Sequence, residues 1–113
     1  MQYRHPVDEP ASAAEVALIA RGIATAVSPN HGIDAVQVSL LGEVIEAVLD
    51  VRIDFASLEP LSAEDLAAAL AGRSEEFRRR VVHHMVLGEL ILRPIPPEVA
   101  RRVAVYADAL GAN

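Results

Sequence analysis

The sequence predicts an all-α fold: a small orthogonal or antiparallel bundle of about five helices, with two helix–turn–helix pairs around a buried central helix at residues 74–92. Three observations predict it. Apolar residues recur every three or four positions in segments parted by Pro- and Gly-bearing turns. Ser, Asp and Glu stand where helix N-caps and first turns need them. Aromatic residues are only 4% of a chain that is 52% hydrophobic, so the core must be built from Ala, Val, Leu and Ile, which suit close helix packing.

The central element is expected at Ser74–Leu92, SEEFRRRVVHHMVLGELIL. It begins charged and amphipathic and then becomes apolar on nearly every side. Only His83, His84 and Glu89 interrupt Val81, Val82, Met85, Val86, Leu87, Leu90, Ile91 and Leu92. A helix that is hydrophobic all round is normally buried among others.

Taken in order, residues 1–11 are polar, carry Pro6 and Pro10, and read as an extended lead-in. Residues 12–113 read as a single domain, since a chain of 113 residues is large enough for one core but not two. Ser12-x-x-Glu15 fits a capping box, followed by Val16, Ile19, Ile23 and Val27 at helical spacing. Ser28-Pro29-Asn30-His31-Gly32 stops that helix, and Asp34-x-x-Gln37 looks like a second capping box. The second helix runs to about Asp50 with a stripe of Val38, Leu41, Ile45 and Val48.

Val51-Arg52-Ile53-Asp54-Phe55 alternates, but a lone strand has no partner here, so an extended loop sealing the bundle is expected. Ser62-Ala63-Glu64-Asp65 opens a third, short helix that ends at Gly72, and Ser74 caps the fourth. Pro94 stops that helix, and Pro96-Pro97 supply the rigid start of the last, from about Pro97 to Leu110. Val99, Val103, Tyr106 and Leu110 form its stripe, with the Tyr106 hydroxyl expected at the rim.

The formal charge of −6 argues against a nucleic-acid surface, which needs clustered positive charge. Arg78, Arg79 and Arg80 are the exception. They read either as a solvated helix turn answering Glu75 and Glu76 or as an interaction site for an anion. All ten basic residues are Arg, which with the abundant Ala suggests a GC-rich bacterial source. The absence of Cys excludes disulfides, thiolate metal sites and cysteine nucleophiles. Neither a signal-peptide pattern nor an apolar stretch of about 20 residues is visible, so a cytoplasmic location and no membrane insertion are expected.

The chemistry-bearing residues are few. His83 and His84 are adjacent, about 100° apart on a helix, and cannot together chelate one metal, which needs i, i+3 or i, i+4 spacing. One is expected to be buried and hydrogen-bonded, the other near the surface. Glu89, if buried, must be paired (with Arg21, Arg93 or a His) or have its pKa raised; otherwise it lies on a narrow polar strip. Asn30 to Asp34 offers too few carboxylates for calcium and reads as turn chemistry. There is no phosphate-binding Gly-rich loop and no Ser-centred nucleophile elbow, so neither an enzyme nor a cofactor is expected.

Over about Ala14 to Gly111 the chain resembles TerB-like domains, the all-helical modules named for tellurite-resistance proteins. The likeness lies in the turn at Asn30 to Gln37, the short helix beginning Leu61-Ser62-Ala63-Glu64-Asp65-Leu66, and the ending Tyr106-Ala107-Asp108-Ala109-Leu110-Gly111. The resemblance implies a helix-bundle fold. In that family each turn typically reads Asp-Gly with a Glu a few residues on, and these acidic turns are thought to bind metal. Here Asn30-His31-Gly32 and Gln37 stand in the first turn, and the second has Arg93-Pro94 and keeps only Glu98. The fold is therefore implied more strongly than the metal function.

The function expected is a non-catalytic helical interaction or accessory module, with a protein partner or self-association. The close after Gly111 suggests one domain of a larger bacterial protein. The alternative is a metal- or small-molecule-binding bundle using His83, His84 and Glu89, with His31 as a further ligand.

Overall fold

The computed structural model describes residues 11–29, 35–50, 52, 57–92 and 95–111. They form five helices in the order α1 (Ala13–Val27), α2 (Ala35–Leu49), α3 (Ala63–Ala69), α4 (Glu75–Glu89) and α5 (Pro97–Ala109), with no strand among the described residues. The fold is the small all-helical bundle that the periodicity predicts. The lead-in over 1–10, the Asp34 capping box and the alternating segment at 51–55, Arg52 apart, lie outside the described residues.

Local chemistry sets the helix starts. The Ser12 hydroxyl accepts from the Glu15 amide at 3.1 Å, and the Glu15 carboxylate accepts from the Ser12 amide at 3.0 Å, completing a reciprocal capping box. Ser62 and Ser74 cap α3 and α4 in the same way, accepting from the amides of Asp65 and Phe77 at 3.1 Å each. Pro97 starts α5, where its missing amide costs nothing. Gly111, at φ +66°, takes the left-handed conformation after the end of α5.

The core is aliphatic, centred on Ile19, Ile23, Val27, Leu41, Ile45, Leu66, Leu70, Met85, Val99 and Leu110. α1 is its axis, packing against α2, α3, α4 and α5, whereas α4 packs against α1, α2 and α5. Small residues on α1 admit that many neighbours. Gly22, Ala24 and Ala26 are all buried, and a Cβ on Gly22 would stand 2.6 Å from the Leu66 Cδ2. Gly88 does the same for α4, since its Cβ would meet Val27 at 3.2 Å and Leu41 at 3.6 Å.

The apolar run of the fourth helix is buried on one face, not all round. Val81, Val82, Met85 and Gly88 face the core, while Val86, Leu87 and Leu90 are exposed. The reason is geometric: α4 packs against α1, α2 and α5 on one side, and no described helix covers its far side. The regular helix also stops at Glu89, and Leu92 is buried from the turn that follows.

Polar side chains tie the segment before α3 to the bundle. Thr25 Oγ1 accepts from the Leu61 amide at 2.9 Å, and the Tyr106 hydroxyl donates to the Leu61 carbonyl. Arg21 donates to the carbonyls of Glu59 at 3.2 Å and Pro60 at 3.1 Å. Tyr106 is therefore buried, with its hydroxyl satisfied inside the fold and not at the rim. Arg102 donates to the carbonyls of Thr25 and Ser28, taking up acceptors that the end of α1 leaves without helical partners. At the other end of α1, Arg73 pairs with Glu15 and lies 4.5 Å from the centre of the Phe77 ring.

Tyr106→Phe should lower stability by about 1–3 kcal/mol, because the buried Leu61 carbonyl loses its donor. Combined with Thr25→Val, denaturant titration should show non-additive losses, since both side chains hold one residue. The hydrogen bond from Arg73, followed by that from the Ser12 amide, holds the Glu15 carboxyl down at about 2. A carboxyl depressed on folding contributes stability that is complete above its unfolded pKa, near 4.5, and is lost as the pH falls towards 2. Glu15→Gln should therefore be less stable than the parent by about 1 kcal/mol at pH 7. In melts recorded from pH 7 down to pH 2, that gap should close below about 4.5.

Candidate functional site

Apart from His31, the side chains expected to carry chemistry lie on α4, and the helix spreads them over different faces. His83 is exposed. His84 is half-buried, and its Nδ1 is buried with no hydrogen-bond partner among the described residues, so neither histidine is the buried, bonded one expected. Burial lowers the His84 pKa, assisted by the charges of Arg80 and His83. Glu89 is also half-buried, with Oε2 buried and unpartnered among the described residues, and burial raises its pKa. Arg21, one partner considered for it, is instead engaged with Glu59 and Pro60.

His83, His84 and Glu89 are thus not brought together as a metal site. Among the described residues no three His, Asp or Glu side chains form a group able to hold a metal ion. The cause is the one that separates His83 from His84: each step along a helix rotates a side chain by about 100°. His31 lies outside the described residues.

Arg78, Arg79 and Arg80 divide in the same way. Arg78 is half-buried and donates from Nε to the Ser74 carbonyl at 3.4 Å. Arg79 pairs with Glu75 at 2.7 Å and Arg80 with Glu76 at 3.9 Å, both one turn back on the same helix. The run is a charge-balanced helix turn more than a concentrated anion site. On α2 an open depression is lined by Glu43, Glu46, Ala47, Asp50 and Arg52. Among the described residues no His or further carboxylate joins these acidic side chains to complete a cation cage.

The feature that stands out is apolar. Val36 is 68% exposed and Leu40 44% on α2; Val86, Leu87 and Leu90 are 37%, 46% and 41% exposed on α4. The two helices pack against each other, and Gly88 of α4 approaches Leu41 of α2. Single exposed aliphatics are ordinary, but five along two adjoining helices form the kind of patch that marks an interaction surface. The sequence held a sign of it: Val36 and Leu40 are four residues apart and fall off the predicted core stripe of α2.

A carboxyl whose pKa is raised on folding costs stability above its unfolded pKa, and that cost disappears as the pH falls below about 4.5. Glu89→Met should therefore raise the unfolding midpoint at pH 7 and leave it nearly unchanged near pH 4, as thermal melts at the two pH values would show. Compared with known proteins, the chain matches no family model, no curated protein and no solved structure.

Proposed function

We propose that this chain is a non-catalytic helical interaction module that docks through the exposed apolar side chains of α2 and α4. The observation that carries the proposal is the outward exposure of Val36, Leu40, Val86, Leu87 and Leu90 on two helices that pack together, whereas the other exposed large aliphatic among the described residues, Val105, stands alone on α5. The five-helix order, with a short helix opening after Leu61, supports a TerB-like domain; the turns at Asn30–Asp34 and Arg93–Pro94 lie outside the described residues. A bacterial source accords with the Arg-only basic composition. No helix among the described residues is long and apolar enough to cross a membrane.

A photo-crosslinking residue placed at Leu87 should capture a protein partner, and the same residue at Ala68, exposed on α3, should not. Equal capture from both positions, or from neither, would refute the proposed face. Leu87→Glu should remove the association while shifting stability by no more than about 0.5 kcal/mol, as expected for an exposed position. Native mass spectrometry of the chain purified without chelators should show no metal adduct; a stoichiometric one would favour a ligand-binding bundle instead.

A further inference from the structure

We infer that the partner of this face is a basic amphipathic helix of another protein. Its aliphatic side chains cover Val36 and Leu40 on α2, and its Lys or Arg side chains reach Glu43 and Asp50. This rests on the docking surface proposed above and names the chemistry of its occupant.

The outer stripe of α2 carries the inference. Val36, Leu40, Glu43, Ala47 and Asp50 are spaced four, three, four and three residues apart, and all are exposed. That spacing places them on one side of the helix, opposite the buried Leu41 and Ile45. The stripe is apolar at its start and acidic towards its end. Glu46 is half-buried beside it, so the depression there holds three carboxylates against the guanidinium of Arg52. Neither Glu43 nor Asp50 enters an ion pair among the described residues.

Helix electrostatics do not account for these carboxylates. The C-terminal end of a helix carries partial negative charge, which favours cations and opposes anions. The last turn of α2 has no basic residue; Glu46 lies in it, and Asp50 follows directly. The other acidic pairs sit where the fold gains from them. Glu64 and Asp65 are in the first turn of α3, and Glu75 and Glu76 are in the first turn of α4, where they also answer Arg79 and Arg80. Across its whole length α4 carries three carboxylates and three guanidiniums. The excess negative charge of the two packed helices therefore gathers on α2, on the stripe that also bears exposed aliphatics.

A ligand lying along that stripe must supply aliphatic side chains and then cations. From Val36 to Asp50 the stripe runs about 21 Å at 1.5 Å per residue, the length of a partner helix of about four turns. Cations placed over Glu43 and Asp50 would offset both the local carboxylates and the negative end of α2. The chain's formal charge of −6 also steers a basic segment towards it. An acidic helix with the same aliphatic pattern would be repelled.

Fluorescence anisotropy of two labelled synthetic 18-residue amphipathic helices, one of Leu and Lys and one of Leu and Glu, tests the inference on the full chain. The Leu–Lys peptide should bind, more weakly as salt is raised, and the Leu–Glu peptide should not. Glu43→Gln with Asp50→Asn should weaken Leu–Lys binding about fivefold. That variant should stay folded, because it relieves the end of α2 and because Asn, like Asp, tolerates the left-handed backbone of residue 50, at φ 55°. Leu40→Gln should weaken binding too. Glu64→Gln with Asp65→Asn makes the same charge change on exposed positions of α3 and should leave binding at the parent level. Equal weakening by both charge variants would mean general attraction to an acidic protein and overturn the inference. Binding that ignores Glu43 and Asp50, or no binding of the Leu–Lys peptide, would also overturn it. So would a parent dimer that Leu40→Gln dissolves, since a second copy would then hold the stripe. If the Leu–Lys peptide fails, crosslinking of a protein from Leu87 alone would leave the docking face standing, and no crosslinking would remove both.

Discussion

The bundle depends on how closely its neighbours can approach α1. With four neighbours and almost no aromatic side chains to fill gaps, α1 must present small residues wherever another helix crosses it. Gly22, Ala24 and Ala26 do so, and Leu66 occupies the space that a side chain on Gly22 would need. Close approach replaces side-chain bulk as the source of dispersion contacts in an interior without large rings. α4 uses the same device at Gly88, against Val27 and Leu41. Only the inner faces benefit. A bundle one layer deep around a single axis leaves outer faces to the solvent, and on α2 and α4 those faces keep aliphatic side chains.

Around that apolar axis a set of polar contacts joins parts of the chain distant in sequence. Thr25 and Tyr106 take the amide and the carbonyl of Leu61, so both polar groups of a buried residue between α2 and α3 are satisfied. Arg21 receives the two residues before it, and Arg102 closes the end of α1. The Arg73–Glu15 pair fastens the turn between α3 and α4 to the start of α1, and Glu15 serves that pair and its own capping box together. His84 and Glu89 are the counterexample: each places one polar atom in the interior without a partner among the described residues.

What could be read from the sequence is what short range determines. Ser12, Ser62 and Ser74 each bond an amide three residues on, so a local pattern is enough to locate those helix starts. Helix periodicity likewise gave the core positions Ile19, Leu41, Val99 and Val103. The number of neighbours around a helix is not a local property. An apolar run such as Val81–Leu92 therefore suggested full burial, although only one side of α4 is covered. Tyr106 looked like a rim residue because nothing local shows that Leu61, 45 positions away, offers it a carbonyl. The histidines and Glu89 drew attention by chemical type, whereas the candidate surface is made of valines and leucines, whose exposure depends wholly on tertiary placement.

The position of α1 in the chain bears on how the protein is made. It is the first of the five described helices to leave the ribosome, yet it packs mainly against helices beyond α2, and α5 is separated from it by about seventy residues. During synthesis only α2, of its partners, is near it in sequence. Contacts so distant in sequence carry a large closure entropy and slow folding relative to bundles built from successive hairpins. Until α4 and α5 arrive, Ile19, Ile23 and Val27 are open to water or to a chaperone, and the nascent chain is at its most aggregation-prone over that interval.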